Sequence, residues 1–159
     1  MTQRVDLASV MDRVAIDEVV SEYAVAVDDG DWAAYRALFA PGGRADYSSA
    51  GGIEGPAGEV ADWLAETMKL FPVRQHLIVN RLIQVADLDG SPGDTARVRA
   101  DFLNPMRLAG EDADGTGPAV TAPNFVAAGR YTFTLARTAR SGWRLSGVTV
   151  HEKWRHMSF

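Results

Sequence analysis

The sequence contains no cysteine, which removes any disulfide framework and any thiolate metal site. Only three histidines occur, His76, His151 and His156, and their spacing matches no metal-binding motif, so no metal site is expected. No apolar run approaches the roughly 18 residues of a membrane-spanning helix. The first residues lack the charged start and apolar core of a secretory signal, and a cytoplasmic protein with no membrane partner is the expectation. Positive charge is also short. Sixteen Lys and Arg stand against 21 Asp and Glu for a net charge of -5, and the basic residues are scattered rather than striped. That distribution argues against nucleic acid and leaves a small molecule or another protein as partner. Internal repeats and low-complexity tracts are missing too.

What is present fits one domain over residues 1–159, since a chain of this length with 47% hydrophobic residues can bury a single sizeable core. Val10, Val14, Val20, Tyr23 and Val27 recur at helical intervals and predict a helix over about residues 8–28. The stretch "DDGDW" ends it, with Gly30 suited to a C-terminal cap and Asp31 to the N-cap of a second short helix, "WAAYRALF". A short strand is expected around Arg44 to Tyr47. A third helix, "PAGEVADWLAETMKLF", has Pro56 in its first turn and stops before Pro72. After Pro72 the period becomes alternating, in the runs "VRQHLIVNRLIQVAD", "DTARVRADFLNPM", "NFVAAGRYTFTLART" and "GWRLSGVTVHEKWRH". Turns between them suggest antiparallel hairpins. The Gly- and Pro-rich segment from Arg107 to Pro123 reads as a long loop suited to covering a pocket. Helices first and long strands afterwards predict an α+β fold: three N-terminal helices packed on a strongly curved, mostly antiparallel sheet that forms a cone-shaped barrel.

Within "QHLIVN", His76 and Asn80 stand in an otherwise apolar, β-prone run. The order of "D-D-G-D-W", "F-A-P…A-D-Y", "Q-H-x-I-x-N" and "G-R-Y…R…G-W-R-L" resembles the SnoaL-like polyketide cyclase and dehydratase family of the nuclear-transport-factor-2-like (NTF2-like) superfamily. The resemblance spans about residues 10–155. In its polar positions the chain is similar to scytalone dehydratases and bile-acid 7α-dehydratases. It implies catalytic roles for Asp28, Tyr47 and His76, with Tyr23 matching a helix tyrosine of the bile-acid enzymes. The chain departs from the scytalone enzymes at Val27, where they carry a tyrosine, and in "ADFLNP", which lacks their second histidine. A late arginine of the bile-acid enzymes has three candidate matches, Arg130, Arg137 and Arg140.

The chemistry of this quartet is coherent. An imidazole titrating near pH 6.5 can take a proton in one half of an elimination and return it in the other. A carboxylate on its second nitrogen fixes the tautomer, a role for Asp28, while hydroxyls of Tyr23 and Tyr47 can stabilise a developing enolate. Dehydration of a small hydrophobic hydroxy-carbonyl compound of polyketide, steroid or aromatic type, or a related cyclisation, is therefore expected, with neither metal nor organic cofactor. Asn80, Val27, Phe102 and Trp63 are the expected substrate contacts.

Each residue also has a plainer role open to it. His76 could be a core residue, Asp28 a helix-end polar group and Tyr23 packing on the apolar stripe; on an ideal helix Tyr23 and Asp28 point about 140° apart. Alternation requires one of Asp46 and Tyr47 to face inward, and the tyrosine is the expected one. His151 and His156 are expected at the surface or an interface. The alternative reading is a non-catalytic binding protein or accessory subunit of the same fold. A third, epoxide hydrolysis, rests on Arg99-x-Asp101; a cross-strand charge pair on the exposed face is the simpler expectation for Arg99 and Asp101. The strands carrying Tyr131, Phe133, Trp143 and Trp154 offer more large apolar residues than one face can bury, so a homodimer or higher homo-oligomer packed through the sheet is expected.

Overall fold

A computed structural model describes residues 7–88, 91–110 and 120–158. Helix α1 (Leu7–Asp29) buries Ile16, Val19, Val20, Tyr23 and Val27 along one stripe. The apolar stripe thus begins at Ile16, and Val10 and Val14 face outward instead. The helix ends as its sequence directs. Gly30, at φ +66, donates to the Val27 carbonyl and Asp31 to that of Ala26, a Schellman pair that uses carbonyls with no partner inside the helix. The Asp31 carboxylate then accepts from the Ala34 N–H at 3.0 Å and caps α2 (Trp32–Ala37).

Strand β1 (Phe39–Asp46) starts earlier than its alternation suggested, and β2 (Glu54–Pro56) pairs with it antiparallel. Pro56 is the N-cap of α3 (Ala57–Thr67), one position before the expected first turn, and a 3-10 turn at Met68–Leu70 follows. The long run after Pro72 is divided into β3 (Val73–Arg74) and β4 (Leu77–Leu88). The break falls at Gln75 and His76. Strands β5 (Ser91–Arg107), β6 (Phe125–Thr138) and β7 (Gly142–Met157) complete the sheet.

The strand order is β2-β1-β7-β6-β5, with β3 and β4 both along the free edge of β5. All described pairs are antiparallel except β1 with β7, which runs parallel. The sheet is α+β in class and strongly curved, as expected for the cone fold, and it does not close on itself. Its curvature has local causes. At Ala128/Gly129 the register with β7 slips by one residue, so that Ala128 faces Trp154 and Gly129 faces Glu152; such a bulge bends the strand and raises its twist. A Cβ on Gly129 would lie 2.0 Å from the His151 carbonyl oxygen, so the bend requires glycine.

The inner face of the sheet meets α1 and α3. Tyr131, Phe133 and Trp143 are buried there, and of the four aromatic residues expected to crowd the sheet only Trp154 is exposed. The premise of an overloaded outer face is corrected accordingly: alternation sends the other three into the monomer's own core. The loop beyond β5 is clamped at its base. Asn124 accepts from the Leu108 N–H at 2.7 Å and donates to the Leu108 carbonyl at 3.1 Å. Residues 111–119, which contain most of the expected pocket cover, lie outside the described residues.

Candidate functional site

Asp28 stands in the last turn of α1, where the chain is about to reverse at Gly30. Its carboxylate accepts the His76 backbone N–H, at 2.9 and 3.1 Å from its two oxygens, and lies 2.6 Å from His76 Nδ1. This contact explains why the strand is interrupted. The His76 N–H leaves the sheet ladder for Asp28, while Gln75 still bonds to Pro105 at 3.1 Å. Arg74 fixes the same junction, donating to the carbonyls of Val27, Met68 and Phe71 at 2.9, 3.0 and 3.1 Å and satisfying carbonyls at two helix ends. With Nδ1–H directed to Asp28, the Nε2 lone pair of His76 is the one left for chemistry.

Tyr47 lies just past β1. Asp46 turns outward and accepts from the Ser48 N–H at 2.9 Å and Oγ at 2.6 Å, and these bonds lower its pKa. Tyr47 is the member of the pair that points in, as expected, and it is buried. Its hydroxyl is hydrogen-bonded to that of Tyr23 and, at 3.1 Å, to that of Tyr35. Tyr131 packs edge-on to Tyr23 with ring centroids 5.6 Å apart. The chain has four tyrosines, and all four meet here. Burial raises each phenol's pKa: Tyr131 is pushed up to about 12, with Asn104 and Tyr23 opposing the rise, and Tyr23, Tyr35 and Tyr47 are likewise raised well above the ordinary value. Across the physiological range all four are proton donors.

His76, Tyr23, Tyr47 and Tyr131 line one cavity of about 270 Å³ on the inner face of the sheet, together with Val27, Trp63 and Phe102, while Tyr35 stands behind Tyr47. Its size is at the small end of small-molecule sites, which span roughly 300–1,000 Å³. Tyr23, Tyr47, Phe102 and Tyr131 form the buried end, and Leu70, 55% exposed, marks the mouth. Arg155 is also at the cavity wall, donating to Glu152 at 2.8 Å and to the Ala50 carbonyl at 3.0 Å. The three late arginines singled out in the sequence lie elsewhere: Arg130 binds Asp101, Arg137 binds Asp12, and Arg140 is exposed in a turn. A larger depression of about 420 Å³ between α1 and α2 is lined by neither the His76–Asp28 pair nor the phenols.

The structure brings together His76, Tyr23, Tyr47, Val27, Phe102 and Trp63, and Asp28 reaches the cavity through His76 rather than directly. That arrangement resolves the angular separation of Tyr23 and Asp28, because each acts from its own side of the helix. Asn80 is a correction. A bulge between Val79 and Leu82 places it at φ 52 on the outer face, where it donates to Asp101 at 3.2 Å. The inserted residue reverses the alternation that would have kept it on the face of His76. Asp101 forms an exposed cross-strand charge pair, with Arg130 at 2.9 Å rather than with Arg99, and both members of the Arg99-x-Asp101 motif face away from the cavity. His151 and His156 are exposed. Sequence reasoning missed Tyr35, Tyr131, Asn104 and Arg155. For Asn104 a signal existed, since it is two residues beyond Phe102 on a strand and so shares its face.

The raised phenol pKa values have a consequence for stability. In the unfolded chain the four phenols titrate near 10.0, below their folded values. Their contribution is therefore complete below about pH 10 and is lost as pH rises through the folded values. The melting temperature is expected to fall steeply above about pH 10, with phenolate absorbance appearing only as the protein unfolds. Phenolate forming near pH 10 in a still-native protein would contradict the burial of the cluster.

A curved sheet with helices packed on it, around an apolar cavity reached by a His–Asp pair and a phenol cluster, defines a class of α+β pocket folds. Among the described residues no three potential metal ligands come together, and no helix is long and apolar enough to cross a membrane. The chain belongs to the SnoaL-like domain family, whose pattern matches residues 8–149, and its fold is that of the NTF2-like superfamily. It is 31% identical over 105 residues to the Mycobacterium tuberculosis protein Rv2910c, covering 66% of this chain and 67% of the relative. Among solved structures it is similar to the hexachlorocyclohexane dehydrochlorinase LinA-type3 from Novosphingobium barchaimii, with TM-score 0.75, 16% identity and coverage of 97% and 94% of the two chains. A scytalone dehydratase candidate from Novosphingobium aromaticivorans superposes with TM-score 0.73 at 16% identity, covering 94% and 89%. At these identities the structural matches speak to the fold alone.

Proposed function

We propose that this protein is a cofactor-independent dehydratase or cyclase for a small hydrophobic hydroxy-carbonyl substrate. The observation that carries the reading is the 2.6 Å contact between Asp28 and His76 Nδ1 at the wall of a phenol-lined cavity. His76 Nε2 removes the proton between the carbonyl and the hydroxyl-bearing carbon, and the electrons pass to the carbonyl oxygen as an enolate held by the Tyr47 and Tyr23 hydroxyls. The enolate collapses, a carbon–carbon double bond forms, and the leaving hydroxyl takes the proton from the imidazolium and departs as water. Asp28 favours the imidazolium while it exists. The two structural neighbours named above carry names that denote eliminations, so the fold is one on which this reaction class is found, and the assignment to this chain rests on its own His76–Asp28 pair. The cytoplasm is the proposed compartment.

The test is turnover of 3-hydroxy-1-tetralone to 1-naphthol by the purified chain, followed by absorbance. Product is expected to form above the buffer rate, with or without EDTA. No acceleration over buffer would count against the dehydratase reading, and activity abolished by EDTA would count against cofactor independence.

Self-association through the outer face of the sheet is proposed as well. Leu77, Leu103 and Trp154, 39%, 41% and 50% exposed, fall on one cross-strand row through Ala128. Sedimentation is expected to show a dimer that Trp154→Asp converts to monomer. A native monomer at all concentrations would remove this part of the proposal.

A further inference from the structure

Asn104 is the unexplained group in the cavity. Its side chain is buried, with the residue 5% exposed, and it lines the cavity from β5 between Phe102 and Met106. The pairs Arg74 with Met106 and Leu77 with Leu103 bracket it, so that it stands directly across from His76. Its amide lies beside the Tyr131 hydroxyl and holds that phenol's pKa down, but Oδ1 has no partner, alone among buried side-chain polar atoms of the described residues. A buried acceptor without a donor is costly, and native proteins rarely keep one unless a ligand or water completes it. Apart from the His76 Nε2 lone pair, which serves as the base, the other polar groups at this end of the cavity are donors or are already engaged.

We infer that Asn104 Oδ1 accepts a hydrogen bond from a second hydroxyl of the substrate, so that the preferred substrate class is a compact, one- or two-ring hydroxy-carbonyl compound carrying a further hydroxyl away from the reacting centre. The inference rests on reading the cavity as the dehydratase site, and it adds a specificity element. The tyrosines hold the carbonyl oxygen by donating, which selects acceptors. Asn104 selects a donor, and together they fix the substrate's orientation against His76. A ring without the second hydroxyl leaves Oδ1 unpaired and binds less tightly.

The test uses 1-naphthol and the 1,3-, 1,5-, 1,6- and 1,8-dihydroxynaphthalenes as probes, with Kd measured on the native protein and on Asn104→Leu. At least one diol is expected to bind the native protein about tenfold or more tighter than 1-naphthol, and Asn104→Leu is expected to reduce that ratio to about one. The melting temperature of Asn104→Leu should change little, because the substitution removes an unsatisfied acceptor together with the amide's contact to the Tyr131 hydroxyl. Asn104→Ala, which adds no bulk, gives the same reading if leucine does not fit. A diol preference that survives both substitutions overturns the inference, as does a native protein that binds 1-naphthol and shows no preference for any diol; the acid–base reading survives either result. Failure of the native protein to bind even 1-naphthol overturns both. A drop in melting temperature with an unchanged diol ratio would assign Asn104 to holding a structural water and also overturn it.

Discussion

His76→Ala is expected to lower turnover of 3-hydroxy-1-tetralone by about two orders of magnitude or more, within the roughly 10²- to 10⁴-fold contribution of general acid–base catalysis. Folding should be little affected, since the His76 backbone N–H keeps its bonds to Asp28. Asp28→Asn is expected to give a comparable loss by a different route. An amide in place of the carboxylate presents a donor to one of the two N–H groups that Asp28 now accepts, which disturbs the tautomer that leaves Nε2 free. Because Asp28 also holds the main chain at His76, this variant should lose some thermal stability as well, whereas His76→Ala should not. The double variant should be little worse than the worse single one, as expected for residues acting as a unit. Rates and melting temperatures measured on the same preparations separate the roles. A stable, fully active His76→Ala protein would end the catalytic assignment and bring forward a binding protein or accessory subunit.

The second large effect is expected at Gly129. In Gly129→Ala the new methyl would have to occupy space 2.0 Å from the His151 carbonyl oxygen and 2.9 Å from Glu152 Cα, both backbone atoms that move only with β7. Overpacking of this kind against backbone should cost at least about 3 kcal/mol, or a fall in melting temperature of roughly 6–12 °C for a chain of this size. Gly58→Ala is the matched control. No atom lies within 4 Å of a Cβ at Gly58 and the residue is in α3, so alanine there should raise stability by about 0.5–1 kcal/mol. If the two variants melted alike, the bulge would not depend on glycine. Relaxation at Gly129 should also reach the cavity, because β6 carries Tyr131 two residues further on.

By itself the sequence determined what adjacent residues can decide. The end of α1 and the start of α2 were legible because Gly30 and Asp31 act on carbonyls and N–H groups within a few residues of themselves. Alternation required one of Asp46 and Tyr47 to face the interior, and the less polar tyrosine is the one that does; the same alternation from Phe102 carried an unread signal for Asn104. Pairing across distance was decided only by the tertiary structure. The parallel contact of β1 with β7 joins segments about a hundred residues apart, and no local pattern encodes which edge a short strand will take. Asn80 faces outward because one extra residue between Val79 and Leu82 reverses the alternation, and that insertion exists only relative to β5. The four tyrosines come from α1, α2, the turn after β1, and β6; three hydroxyls meet and the Tyr131 ring packs on Tyr23 because the curved sheet and the helices converge there. Periodicity is a property of one segment and fixes which side of it is apolar, while register, bulges and convergence are properties of two or more segments and arise only when they pack.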